Sequence, residues 1–327
     1  GRIAEARKLQ KEIDSGKAMS PGKGNANGKW KKFTDGDVRM PTLSSISDVR
    51  VPILIQSRWN KSDAGGGYCY NYYTPNHYPC GCVATAFAQV VRYFQYQPAG
   101  GIGVHAFTIT VNGNPQTAYT RGGNGSGGAY NWSDMVLVPG AGLTETQRQA
   151  IGALCYDCGV TVEMGYSSGG SGAYMHYVRR ALKDIYGYSN ALITYHDWYA
   201  KDSGMLGMIN PNLDAGYPVL FSVWDQGNSE HAIICDGYGY NGATMYHHIN
   251  MGWGGSADAW YNIPLIDDFI VVDSVTYNMY TAGTGEIISG RVTSAGTPIS
   301  GATVTATGPG GPYTDTTDTK GIYALTK

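Results

Sequence analysis

The sequence predicts an α+β fold in which helices come first and strands later. Apolar residues recur at helical spacing from Val83 to Phe94 and again from about Glu145, whereas from Val219 onward the apolar runs are short and set between turns. A cysteine opens the first of these helices and a histidine opens one of the later strands. That arrangement puts the candidate chemistry in the cleft between the two parts.

Residues 1–50 form a first region. Ile3 to Ile13 carries a short helical pattern, and Ser15 to Asn27 is a Gly/Lys/Asn/Ser stretch that reads as flexible. The opening Gly1-Arg2, without methionine or signal peptide, reads as a trimmed N-terminus. Residues 51–282 form the main domain. Its first helix has Val83, Ala86, Phe87, Val90 and Phe94 on one face and is stopped by Pro98, Gly100 and Gly101. A second helix runs from about Glu145 to Cys158, and a third from about Ala173 to Ile185, after the loop Ser167–Gly172. Strands are predicted at 219–223, 232–235, 245–250 and 260–263. Beyond Gly283 the style changes, with near-alternation over Glu286–Thr293 and Ile299–Thr307, Gly/Pro turns and Thr-rich edges. Residues 283–327 therefore read as a small β module, about 45 residues against the roughly 100 of a seven-stranded sandwich.

Composition removes several functions. With a net charge of −2 and only 15% charged residues, the chain lacks the basic patch of a nucleic-acid binder. No apolar run approaches the ~18 residues of a membrane helix. Ser167–Gly172 lacks the Gly-Lys-Ser/Thr ending of a nucleotide loop. His77, His105, His176, His196, His247 and His248 show no ligand spacing with cysteines, so neither a metal nor a cofactor is expected. Six cysteines are present: Cys69, Cys80, Cys82, Cys155, Cys158 and Cys235. Cys155 and Cys158 lie late in a helix and read as packing, and Cys69 with Cys80 could clip the loop before Cys82.

Cys82 sits at or just before the first helical turn, where unpaired N–H groups and the helix dipole favour thiolate. Its own N–H and those following can also point at an oxyanion, which makes it a better nucleophile than Cys80, outside the helix. His231 lies about 150 residues further on, at the upper edge of the ~130–150 spacing of papain-like thiol enzymes. The run Ser229-Glu230-His231-Ala232-Ile233-Ile234-Cys235-Asp236-Gly237-Tyr238 places it at the start of an apolar strand. Asn250 and Trp253 follow in a glycine-rich turn. Asp236 is a weaker candidate to orient the histidine, because five residues along a strand it faces the other side.

Gly81-Cys82-Val83-Ala84-Thr85-Ala86, His231-Ala232 through Asp236-Gly237-Tyr238, and His248-Ile249-Asn250-Met251-Gly252-Trp253-Gly254-Gly255 together resemble the streptopain family of bacterial papain-fold cysteine peptidases. Arg58-Trp59-Asn60, Tyr130-Asn131-Trp132 and Arg179–Lys183 agree, in family order, from about Val51 to about Tyr280. The resemblance implies a papain-like two-subdomain architecture, a helical part plus an antiparallel β part. It implies Cys82 as nucleophile, His231 as general base and acid, Asn250 as the residue orienting the imidazole and Trp253 as its shield. By position Ser171 and Gly172 resemble the loop lining the substrate side-chain pocket. Residues 1–50 take the place of an inhibitory propeptide and its junction. The 283–327 segment resembles a partial carboxypeptidase regulatory-like β-sandwich.

Two positions depart from the family. Lys61 stands where a glutamine supplies the second oxyanion donor, with Gln56 able to serve only if the loop is shifted. Glu230 stands where the family's namesake has glycine; a carboxylate there would narrow the cleft and favour a basic or polar substrate side chain. The papain branch's own Cys-Gly-Ser/Ala-Cys-Trp/Tyr signature is absent. The expectation is a secreted or cell-surface bacterial thiol endopeptidase, made as a zymogen, with protein or peptide substrates and its own propeptide as inhibitor. The alternative is an impaired relative binding peptide or glycan in the same cleft.

Overall fold

The computed structural model describes residues 45–195, 203–225, 227 and 229–326. The N-terminal helix and flexible stretch expected before residue 28 lie outside them, as does most of the 1–50 region.

The chain runs β1 (Asp48–Val51), α1 (Cys82–Phe94), β2 (Ala106–Val111), β3 (Asn114–Tyr119), α2 (Glu145–Thr161), α3 (His176–Asp184), β4 (Asn190–Tyr195), α4 (Ser203–Asp214), β5 (Val219–Asp225), β6 (Glu230–Asn241), β7 (Thr244–Asn250), β8 (Ala259–Tyr261) and β9 (Phe269–Tyr280). A seven-stranded sheet has the order β8-β7-β6-β5-β9-β4, with β1 added against β6. β6 is its axis. One edge pairs with β5 through Glu230–Cys235 and then with β1 through Tyr238–Tyr240, while the other edge pairs with β7.

Alternation along β6 feeds two cores. Ala232 and Ile234 join Phe87, Val90, Leu154, Val178 and Leu182 under the helices. Ile233 and Cys235 join Phe221, Phe269 and, from α4, Ile209 and Leu213 on the opposite face. Period-two alternation is what allows one strand to serve both.

α1 forms where its periodicity places it, but not as the amphipathic helix that periodicity predicts. Every residue from Val83 to Val91 is buried, Thr85 and Gln89 included. The helix threads the molecule rather than lying on it. α2 is started by a capping box: Thr144 Oγ1 accepts from the Gln147 N–H at 3.2 Å and Gln147 Oε1 accepts from the Thr144 N–H at 3.0 Å. Cys155 and Cys158 are wholly buried in its last turns, and all six thiols are free, so no Cys69–Cys80 clip forms.

The sequence reading passed over the β2–β3 hairpin, although Asn112-Gly113 at its turn, both at positive φ, is the strongest short hairpin signal. It also passed over α4, which carries Pro211, and over the twelve-residue β9. The C-terminal segment forms antiparallel pairs between β10 (Ile288–Arg291) and β13 (Ile322–Leu325) and between β11 (Thr303–Ala306) and β12 (Tyr313–Thr316). It docks on the main domain. Ser289 Oγ donates to Asp214 Oδ2 at 2.6 Å, and Ile322 enters the second core.

Candidate active site

Gly81 sets the entry of α1. It sits at φ 93°, ψ 154°, and a methyl group there would lie 2.9 Å from Met164 Sδ and from the Ser171 carbonyl oxygen. Only glycine fits, and the chain can then turn straight into helix at Cys82. The Cys82 side chain is half-buried at the open end. Cys80 is fully buried, its sulfur 3.3 Å from Thr85 Oγ1, so Cys82 is the thiol a substrate can reach.

His231 opens β6 and is 5% exposed. Its ring is clamped between Trp253, centroids 4.9 Å apart at 17°, and Phe269, 5.6 Å at 24°. Nε2 lies 2.9 Å from the Met251 carbonyl oxygen. A carbonyl can only accept, so Nε2 carries the proton in this contact. The partner expected for this ring was the Asn250 side chain; the structure gives the role to the peptide carbonyl one residue on. The Asn250 amide is committed elsewhere, donating to the Ser57 carbonyl at 2.9 Å and accepting from Gln89 Nε2 at 3.2 Å and the Gly252 N–H at 3.0 Å. β7 ends at Asn250, so its side chain turns into the sheet–helix junction while the next carbonyl faces the imidazole. Trp253, expected to shield this contact, stacks on the ring. Asp236 pairs with His248 instead, Oδ1 to Nδ1 at 2.6 Å.

Gln89, the Gly254 N–H, the Gly252 turn and Lys61 bring the halves together. Gln89, one helical face along from Cys82 and Thr85, accepts from Ser57 Oγ at 2.9 Å and from the Trp59 N–H at 3.2 Å, besides holding Asn250. The Gly254 N–H donates to the Trp59 carbonyl at 2.9 Å. A methyl group at Gly252 would meet Thr85 Cγ2 at 3.3 Å, so the turn that carries Met251 and Trp253 rests on the first turn of α1. Lys61 completes the junction. It is 9% exposed, with Nζ 5.7 Å from the Trp253 ring centre. Burial lowers its ammonium pKa, and the charges of Cys82 and Cys80 oppose that shift. Gln56, the fallback donor, is exposed and donates to the Ile53 carbonyl at 2.8 Å, away from this junction.

The Ser167–Gly172 loop lies against the same entry. Its Gly172 and Gly165 exchange backbone hydrogen bonds at 2.9 and 3.1 Å, and Gly172 faces open space. Ser171 packs its carbonyl on Gly81. The Glu230 carboxylate accepts from Ser222 Oγ at 2.7 Å; burial raises its pKa, with Ser222 opposing and Asp273 adding to the rise. It is thus drawn onto β5 instead of reaching freely across the cleft. Among the described residues no group of His, Cys, Asp and Glu could hold a metal ion. Gln89, Met251 and Phe269 escaped the sequence reading. Gln89 alone left a signal, a polar residue in the apolar run from Ala86 to Val91; a backbone carbonyl leaves none.

Residues 63–261 match the Peptidase C10 family. The chain is 29% identical over 187 residues to the thiol protease/hemagglutinin PrtT of Porphyromonas gingivalis, covering 57% of this chain and 20% of that one. It is 29% identical over 253 residues to streptopain of Streptococcus pyogenes, covering 69% and 60%. The chain therefore spans less than two thirds of these curated relatives. Among solved structures, active interpain A, a cysteine protease of Prevotella intermedia, superposes with a TM-score of 0.60 at 26% identity, over 75% of this chain and all of that one. A prointerpain A fragment from the same organism superposes with a TM-score of 0.58 at 24% identity, over 82% and 88%, and shows the shared fold.

Proposed function

The chain belongs to the Peptidase C10 family, and on that premise we propose that it is a cysteine endopeptidase working through a Cys82–His231 pair. The Cys82 thiolate attacks the scissile carbonyl carbon. The carbonyl oxygen takes the negative charge and is held by the Cys82 N–H and the Lys61 ammonium. His231 gives its Nδ1 proton to the departing amine, then takes one from the water that releases the acyl group. Asn250 locks the turn, Trp253 keeps water off the imidazole, and Ser171 and Gly172 line the substrate side-chain pocket.

The observation that carries this reading is a half-buried thiol at the start of α1, a helix that Thr85 and Gln89 join to the turn whose carbonyl holds the His231 Nε2. A ring held at Nε2 and stacked on Trp253 and Phe269 keeps one orientation, as directional proton transfer requires. Protein or peptide substrates, a zymogen held by a propeptide within residues 1–50, and a secreted or cell-surface location complete the proposal. Their support is the sequence resemblance and the relatives above.

Covalent labelling with an epoxysuccinyl peptide, read by intact and peptide mass spectrometry, tests it. The expected result is one adduct on Cys82, absent in Cys82→Ala and His231→Ala and increased by limited proteolysis of the N-terminal region. A folded protein with a free Cys82 thiol and no adduct in any processed form would overturn the peptidase reading in favour of a binding module.

A further inference from the structure

The Met251 carbonyl and the Gly252 N–H are the two ends of one planar peptide group. The N–H donates to Asn250 Oδ1 at 3.0 Å, and the carbonyl oxygen at the opposite end meets His231 Nε2 at 2.9 Å. Whatever holds the Asn250 amide therefore aims the acceptor of the imidazole. Two groups hold it. Asn250 Nδ2 donates to the Ser57 carbonyl at 2.9 Å, and Asn250 Oδ1 also accepts from Gln89 Nε2 at 3.2 Å.

Gln89 has a second hold, on the segment that leads to Lys61. Its Oε1 accepts from Ser57 Oγ at 2.9 Å and from the Trp59 N–H at 3.2 Å. A backbone N–H can only donate, so the Trp59 contact fixes which end of the Gln89 amide is oxygen, and the Gly252 contact does the same for Asn250. Gln89 and Trp59 are wholly buried, and Ser57 and Asn250 nearly so. An amide in such a place is costly unless its hydrogen bonds are made, and once made they restrict it to one arrangement.

We propose that Gln89 is a positioning residue for the reaction of Cys82 and His231. From the helix that carries the thiol, its one amide sets the acceptor of His231, through Asn250 and the Met251–Gly252 peptide, and the Ser57–Trp59 segment before Lys61. Nucleophile, histidine and oxyanion donor are thereby referred to a single side chain about two helical turns from Cys82. The catalytic meaning rests on the peptidase reading; the hydrogen-bonded arrangement stands apart from it.

Gln89→Met keeps the length of the side chain and deletes both holds. The expected kcat is about 10²-fold below wild type with KM little changed, the cost of misplacing reacting groups by about 1 Å. Gln89→Glu separates hydrogen bonding from packing. At pH 5 a buried carboxyl is protonated, so it accepts at one oxygen and donates from the other as the amide does. It should recover about tenfold over Gln89→Met at that pH. A Gln89→Met kcat close to wild type, or a Gln89→Glu no better than Gln89→Met at pH 5, would overturn the proposal.

A second readout needs no turnover. In Cys82→Ala protein labelled with ¹⁵N-histidine, Gln89→Met is expected to speed solvent exchange of the His231 Nε2–H about tenfold. Val90→Ala, which opens a cavity under the same helix, should leave that exchange alone. Equal effects from the two would make Gln89 a packing residue and overturn its positioning role. If Gln89→Met does not fold, protection of the Gln89 Nε2–H, the Gly252 N–H and the His231 Nε2–H is compared in Cys82→Ala alone. One shared opening equilibrium supports the coupling, and independent ones overturn it. Exchange does not depend on activity, so the two readings fail separately: Gln89-dependent exchange without an epoxysuccinyl adduct sinks the peptidase, and an adduct without Gln89 dependence sinks the positioning role.

Discussion

Lys61 puts a charge where a neutral amide would serve. An ammonium stabilises an oxyanion strongly, but its flexible stem is poorly preorganised. Burial compensates: the side chain is 9% exposed beside Trp253, which limits where Nζ can go. The same burial lowers the Lys61 pKa, with the Cys82 and Cys80 charges pulling the other way. The ammonium is the competent form, so activity is expected to fall on the alkaline side as Lys61 loses its proton, earlier than an exposed lysine would. Lys61→Met removes the donor and should cost about 10²–10³ in kcat with little change in KM. Lys61→Gln restores an amide donor and should abolish the alkaline limb while keeping most of the rate. The measurement is kcat/KM from pH 6 to 10 for all three proteins; an alkaline limb unchanged in Lys61→Gln would show that Lys61 does not set it.

At the scale of the element, α1 shows what a sequence discloses and what it hides. Its limits and the thiol at its start are legible, because apolar spacing, Pro98 and the paired glycines are local signals. Its burial on all sides is not, since whether a face meets solvent depends on what packs there. Cys82, Thr85 and Gln89 fall on one stripe of α1 at i, i+3 and i+7, and Thr85 and Gln89 meet the far half of the site at Gly252 and Asn250. The histidine side was legible to His231 and Trp253, which are side chains, and closed at Met251, whose contribution is a backbone oxygen. The entry to α1 gives a sharp test. Gly81→Ala forces a side chain into a φ, ψ region that is essentially glycine's, at about 1–3 kcal/mol, and into Met164 and the Ser171 carbonyl. A Tm several degrees lower is expected, together with much slower labelling of Cys82. Unchanged labelling in a folded Gly81→Ala protein would mean that this entry does not govern the nucleophile.

The whole molecule is two cores joined by one sheet, and each core buries a titratable group of opposite sign. In the helical half Asp157 is fully buried, accepting from the Arg121 and Gly122 N–H groups at 2.8 and 2.9 Å and from Tyr130 Oη at 2.7 Å. Burial outweighs these donors and raises its pKa to about 7. In the β half His247 is 1% exposed, its Nε2 2.8 Å from Asn210 Oδ1, and burial lowers its pKa to about 3. The two act on stability in opposite directions. Asp157 binds its proton more tightly folded than unfolded, so its contribution is full below about 4 and is lost as pH rises through about 7. His247 binds its proton less tightly folded, so its contribution is full above about 6.5 and is lost as pH falls toward 3. Each term is on the order of 4 kcal/mol across its range, large against a typical folding free energy. The two windows overlap, so between about 4 and 6.5 the opposing slopes largely cancel and the wild-type stability owed to this pair is expected to be nearly flat. Urea midpoints at pH 4, 5.5 and 8 in the single variants separate them. Asp157→Asn leaves the His247 contribution uncompensated, so its midpoint should fall from pH 5.5 to 4, and His247→Gln leaves the Asp157 contribution uncompensated, so its midpoint should fall from pH 5.5 to 8. A variant whose midpoint stays flat over that interval would show that the buried group left in it does not titrate with folding.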